Sequence, residues 1–196
     1  MYGIIFKTIK MKILLIGASG SIGKILEPEL IKNHDVVMAG RNSGNFRVDI
    51  ADTNSITKLF EQVQNIDACI CVAGDCYTGD LFSLDEEKLN IGIKNKLLGQ
   101  INLVLIGQKY LNENGSFTLT SGKMADKPVK NNISKAIVNG GLHSFVLATS
   151  LELERGIRIN AISPGKVSEI PAFDLINSYL KSVEGQINGE IIKVNY

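Results

Sequence analysis

Residues 11–23 read MKILLIGASGSIG. Four aliphatic side chains in a row, Ile13–Ile16, run directly into Gly17, Gly20 and Gly23, spaced three apart. The stretch that follows, KILEPELIK, reads as a helix. In such a strand–turn–helix, Gly17 permits the sharp turn, Gly20 lets the backbone approach a ligand, and Gly23 lets the helix pack closely on the strand. The helix N-terminus then faces an anion with free N–H groups and a favourable dipole. Ser19 and Ser21 add hydroxyl donors, so Ser19, Ser21 and Ile22 join the three glycines as candidate contacts to a bound cofactor.

The rest of the chain repeats this rhythm. Strands are predicted at Lys12–Ile16, Asp35–Ala39, Phe46–Val48, Ala68–Val72, Ser116–Thr120, Arg158–Ile162 and Glu190–Val194. Helices are predicted near Ser21–Lys32, Ser55–Gln64, Asp85–Tyr110, Asn132–Glu154 and Ala172–Ser182. Within them apolar residues recur at helical spacing, as at Ile56, Leu59, Phe60 and Val63. Short apolar strands separated by helices imply an α/β fold, a doubly wound parallel sheet of about seven strands in a three-layer arrangement with helices on both faces. No repeat or linker interrupts it, and 196 residues with 44% hydrophobic content suit one core. Residues 11–196 therefore read as a single domain. Residues 1–10, MYGIIFKTIK, read as an N-terminal extension without the basic start, long apolar core and cleavage site of a signal peptide.

Composition narrows the partners. With 21 basic and 20 acidic residues and no basic stripe, nucleic acid is excluded as a partner. Apolar runs fall short of the ~20 residues that span a bilayer, so no membrane partner is expected. Cys69, Cys71 and Cys76 match neither a CxxC nor a zinc spacing, and the two histidines, His34 and His143, lie far apart. The cysteines read as reduced core thiols, no metal site is expected, and the location is cytoplasmic.

The end of the second strand selects the cofactor. Where an acid would hold a ribose 2′-hydroxyl, the sequence has VVMAGRNSG, with Arg41, Asn42 and Ser43 in its place. A guanidinium matches a phosphate in charge and geometry, which favours NADP(H) over NAD(H).

Taken together, these segments resemble the short-chain dehydrogenase/reductase family from Met11 to about Val194. LLIGASGSIG resembles its cofactor turn, with a shifted glycine spacing, and AGRNSG its NADP-preferring form. RVDI resembles the segment that contacts the adenine, through Asp49 with Ile50 beside it; CVAG keeps Ala73 and Gly74 of the family's NNAG. RINAISPG is similar to the family signature whose Pro164 and Gly165 lie against the nicotinamide. The resemblance implies a Rossmann-type fold and a catalytic set of Ser, Tyr, Lys and Asn. SFTLTSG supplies Ser121, and NNISKAIVNGG resembles the YxxSK segment, placing Lys135 on the catalytic, ribose-binding lysine. Asn131 stands where the tyrosine belongs, and Lys96, after Asn95, where the asparagine belongs.

An amide cannot act as a general acid near neutral pH, and loss of a positioned acid typically costs ~10²- to 10⁴-fold in rate. Lys135, Lys96, a water or Tyr77 are the remaining proton sources. Lys96 reads most simply as an exposed helix charge or structural substitute, and His143, eight residues after Lys135, as a core or interface histidine. The expected function is an NADP(H)-dependent oxidoreductase of a small carbonyl or alcohol. The alternative is a non-catalytic NADP(H)-binding regulator or interaction partner. The segment after SPG is brief, which points to an open or small substrate site. The resemblance further implies pairing of the two long helices in a homodimer or homotetramer.

Overall fold

Strands that are apolar on both faces are buried only in a sheet covered twice, and the computed structural model, which describes residues 10–196, has that form. The expected extension at residues 1–10 lies outside the described residues except for Lys10. The strands are β1 (Lys12–Ile16), β2 (Asp35–Gly40), β3 (Phe46–Arg47), β4 (Ile66–Cys71), β5 (Leu111–Thr120), β6 (Arg158–Pro164) and β7 (Ile191–Val194). Their order is β3-β2-β1-β4-β5-β6-β7, and every neighbouring pair is parallel.

The helices are α1 (Gly23–Asn33), α2 (Thr53–Gln62), α3 (Glu86–Gly92), α4 (Gly99–Gly107), α5 (Ile133–Thr149) and α6 (Ala172–Glu184). The alternation of β1 divides the core between the two faces of the sheet. Leu14 and Ile16 pack with Phe60, Leu103 and Leu142, from α2, α4 and α5. Ile13 and Leu15 pack with Leu26, Leu175 and Tyr179, from α1 and α6. All four β1 side chains are fully buried, so truncating any one to alanine removes about 2–5 kcal/mol. Asp52 caps α2 by accepting from Asn54 N at 2.9 Å, and Asp85 caps α3 by accepting from Lys88 N at 2.8 Å.

The long helix predicted over residues 85–110 is divided. Between α3 and α4 lies a π-helical segment, Ile93–Leu98. Two close approaches flank it: a Cβ on Gly92 would meet Ser134 Oγ at 2.8 Å, and one on Gly99 would meet Ile50 at 2.9 Å. Between these fixed points the wider turn absorbs the residue that an α-helix would place out of phase. The second long helix, predicted to reach Glu154, ends at Thr149.

From β1 the chain winds to β2 on one side and, later, to β4 on the other. This reversal opens a crevice at the C-terminal ends of the strands, where doubly wound sheets bind ligands.

Candidate active site

Two clefts follow that crevice and share the wall Val72–Asp75. The smaller, about 300 Å³, is lined by Gly17, Ser19, Gly20, Arg41 and Ile50. The larger, about 660 Å³, runs from Ser21 and Ile22 to Pro164 and Gly165, with Ser121, Lys96 and Lys135 on its walls.

The smaller cleft is built from backbone. Gly17 adopts φ +94°, and its N–H donates to Ala39 O at 2.8 Å. A Cβ on Gly23 would sit 2.5 Å from Ala18 Cα and Gly17 O, so α1 lies directly against the turn. Among the described residues, the amides of Ser21, Ile22 and Gly23 have no hydrogen-bond partner. Ser43 Oγ donates to Ser19 Oγ at 2.9 Å. Arg41 reaches Asp49 only at 3.5 Å, across an exposed pair of little worth, so its guanidinium is free to turn to an anion. Open amides, hydroxyls and a loose guanidinium fit the phosphates of a dinucleotide. Asp75 is the single carboxylate on either wall among the described residues.

Not every expected contact lies on these walls. Gly23 acts through packing. Asp49 accepts from Ala51 N at 3.0 Å, holding the turn before α2, and Asn42 is exposed outside both clefts.

The larger cleft carries the reactive side chains. Ser121 follows β5, and its N–H donates to Ile162 O at 2.9 Å. Its Oγ lies 2.8 Å from His143 Nε2 and 3.3 Å from Ile162 O. Lys135, near the start of α5, is half-buried and has no hydrogen-bond partner among the described residues. Gln100 of α4 fixes the cleft floor: its Oε1 accepts from Thr120 N at 2.9 Å, and its Nε2 donates to Thr120 O at 3.0 Å and Ala73 O at 3.3 Å.

Four sequence expectations require correction or relocation. Lys96 is not an exposed helix charge. The π-helical segment turns it inward, and its Nζ donates to Ser121 O and Asn139 Oδ1, each at 2.9 Å. Burial pulls its pKa below the usual lysine value, partly opposed by Cys76 and Cys71. Its stem crosses Gly74, where φ is +148° and a Cβ would meet Lys96 Cγ at 2.6 Å. His143 is not a core histidine: it is half-buried, with Nε2 against Ser121 Oγ. Tyr77 turns away from the cleft, with its OH 3.2 Å from Ser83 Oγ. Asn131 is exposed, off the cleft wall, at φ +66°, and its carbonyl accepts from Gly79 N at 2.9 Å.

The partners Asn139 and Gln100 gave no sequence signal. The spacing of His143 from Lys135, two helical turns along one face of α5, was the available clue to its place. Cys69 and Cys71 are buried free thiols in one core cluster, as their alternation in β4 implies. Among the described residues no helix is long and apolar enough to cross a membrane.

A reversed parallel sheet, a glycine turn with open amides and a trough carrying serine and lysine define a dinucleotide-binding oxidoreductase fold. The profile of the family described as enoyl-(acyl carrier protein) reductase matches residues 29–186. The chain belongs to the short-chain dehydrogenase/reductase family, whose members bind a nicotinamide cofactor. It is similar to protein lin1944 from Listeria innocua, at 41% identity and TM-score 0.91, over 94% of this chain and 100% of that one. It is also similar to a small-chain dehydrogenase at 30% identity and TM-score 0.86, over 95% of this chain and 97% of that one. A small-chain dehydrogenase in complex with NADPH matches at 27% identity and TM-score 0.85, with the same coverage. No curated protein matches the chain.

Proposed function

We propose that the protein is an NADP(H)-dependent oxidoreductase acting on a small carbonyl or alcohol. The observation that carries this reading is the pair of clefts joined by the wall Val72–Asp75, with the glycine turn and Arg41 in one and Ser121 and Lys135 in the other. The nicotinamide supplies or accepts the hydride when bound. Arg41, on the wall of the smaller cleft and held only loosely by Asp49 at 3.5 Å, favours a 2′-phosphate over a 2′-hydroxyl. Lys135 holds the ribose, Pro164 and Gly165 flank the nicotinamide, and Ser121 positions the substrate oxygen. The buried Lys96 ammonium stabilises negative charge developing on that oxygen, and in a site shielded from water such a charge is worth far more than in solution. A single 3₁₀ turn, Val167–Glu169, and then α6 follow the signature loop, so the cover is short and the substrate small or loosely enclosed.

The second reading, a non-catalytic NADP(H)-binding regulator, is favoured by Asn131 in the tyrosine position. One experiment separates them. The purified protein is titrated with NADPH, NADP⁺, NADH and NAD⁺, then assayed with NADPH and a panel of carbonyl compounds. Preference for the phosphorylated pair with turnover supports the enzyme; binding without turnover supports the regulator; no binding removes both. We further propose a cytoplasmic homo-oligomer paired through the π-helical segment, α4 and α5. Leu98, Leu105, Ile137 and Leu147 are each about half exposed there, and light scattering in solution tests it.

A further inference from the structure

Resting on the oxidoreductase reading, the geometry points to a Ser121–His143 relay that moves the proton which the family's tyrosine would move. Ser121 Oγ lines the larger cleft, and His143 Nε2 stands 2.8 Å behind it without lining the cleft itself. The imidazole therefore reaches a substrate oxygen only through the serine hydroxyl. In carbonyl reduction the Ser121 Oγ–H bond breaks as the substrate O–H bond forms. The His143 Nε2–H proton moves to Ser121 Oγ, restoring the hydroxyl. His143 is left neutral and recovers a proton from solvent through its exposed portion. One hydride from the cofactor and one proton from His143 account for the alcohol, and oxidation runs the same steps in reverse.

The surroundings of His143 suit a group that changes charge. Burial lowers its pKa, Asp126 raises it, and Lys193 and Lys96 lower it. Burial works to raise the pKa of Asp126, but its bonds with Lys193 and Tyr196 outweigh that and hold the carboxyl below its usual range. Lys193 Nζ lies 3.1 Å from Asp126 Oδ2, and Tyr196 OH donates to the same oxygen at 2.9 Å. Tyr196 OH is also 2.6 Å from Ser163 Oγ, and burial pushes the phenol up to about 12, so it remains a donor at neutral pH. A fixed carboxylate thus favours the imidazolium while two ammonium groups and burial disfavour it, and the net shift is downward. Lys96 is the competing donor, and burial lowers the pKa of both groups, so the variants at the two positions separate them.

The test uses the full chain with NADPH and two probes, 9,10-phenanthrenequinone and 4-nitrobenzaldehyde. In the wild type, kcat for reduction should fall as pH rises through an ionisation below 6.5. His143→Gln keeps a hydrogen-bonding group beside Ser121 but cannot titrate. It should lower kcat about 10²-fold, leave KM for NADPH little changed, and abolish that ionisation. A readout without turnover follows the two imidazoles by ¹⁵N NMR. Ser121→Ala should move the Nε2 resonance and titration midpoint of His143 and leave His34 in place. The wild-type NMR midpoint of His143 should coincide with the kinetic one, a comparison that needs no variant to fold. An unchanged pH profile in His143→Gln, disagreement of the two midpoints, or an NMR signal indifferent to Ser121→Ala overturns the relay and leaves the oxidoreductase reading standing. Loss of the ionisation in Lys96→Met alone assigns the proton to the lysine. NADPH binding without turnover of either probe, or of a wider carbonyl panel, removes the oxidoreductase reading and the relay with it.

Discussion

The half of the trough on β1, β2 and β4 is made chiefly of backbone, while the half on β5, β6 and α5 is made chiefly of side chains. At the turn after β1, Gly17 and Gly23 leave no room for a Cβ, since the nearest atoms would lie at 2.9 Å and 2.5 Å. Replacement there displaces main chain, so the expected pattern survives in recognisable form. At the other end, serine and lysine keep their places while Asn131 and Lys96 stand where tyrosine and asparagine are expected. A side-chain site can be re-equipped from nearby elements without moving the fold. Here a buried ammonium bonds the Ser121 carbonyl and an imidazole stands behind its hydroxyl.

The largest effect expected from this contrast is in the backbone half. Gly23→Val drives a side chain into Ala18 and Gly17 O. It should eliminate NADPH binding and lower stability by about 2–3 kcal/mol. That corresponds to a melting temperature lower by roughly 5–10 °C for a chain of this size. A cofactor titration with a thermal melt checks both, and tight binding by the variant would break the distinction at its strongest point.

In the side-chain half, Lys96→Met should lower kcat about 10²-fold while the fold and NADPH binding persist. It leaves Ser121 O and Asn139 Oδ1 without a donor, costing about 1–3 kcal/mol each, but it also removes a buried charge. The two terms oppose each other, so stability should move far less than activity. Single-turnover kinetics beside a melt reads the two separately.

Arg41→Ala sharpens the cofactor side. Its present partner, Asp49, is exposed and 3.5 Å away, so little is lost in the free protein. A charge-assisted contact to a 2′-phosphate is worth about 1.5–3 kcal/mol. NADPH should therefore bind roughly tenfold more weakly, at the low end of that range because the site is exposed, with NADH unaffected.

The contrast also governs what the sequence revealed. β1 was legible to the residue because a doubly buried parallel strand is a continuous apolar run bounded by glycine. β5 begins five residues earlier than expected, at Leu111, because NENG carries no strand pattern, and Asn114 takes φ +61° within it. The π-helical segment was invisible: IKNKLL differs from an ordinary helical stretch only through the packing of Gly92 and Gly99. Lys96 could be placed by resemblance but not turned inward, since that orientation follows from the same segment. The Ser121–His143 pair joins residues 22 apart on different elements, and no local period encodes it.

The smallest expected effect is that of Asn131→Tyr, which restores the side chain the family uses at that position. Asn131 sits at φ +66°, a conformation asparagine tolerates and tyrosine resists, at a cost of about 1–2 kcal/mol. Its carbonyl is tied to Gly79 N, so the turn is anchored as it stands. A phenol added to this exposed position does not start on the cleft wall. The variant should lose a few degrees of melting temperature and gain little in kcat, and the wild-type pH dependence should persist. A large rise in kcat with a new pH profile would mean that the turn relaxes and carries the phenol to the substrate. The side-chain half would then be one residue short of the family pattern rather than rebuilt around Ser121 and His143, and the contrast between the two halves would reduce to a single substitution.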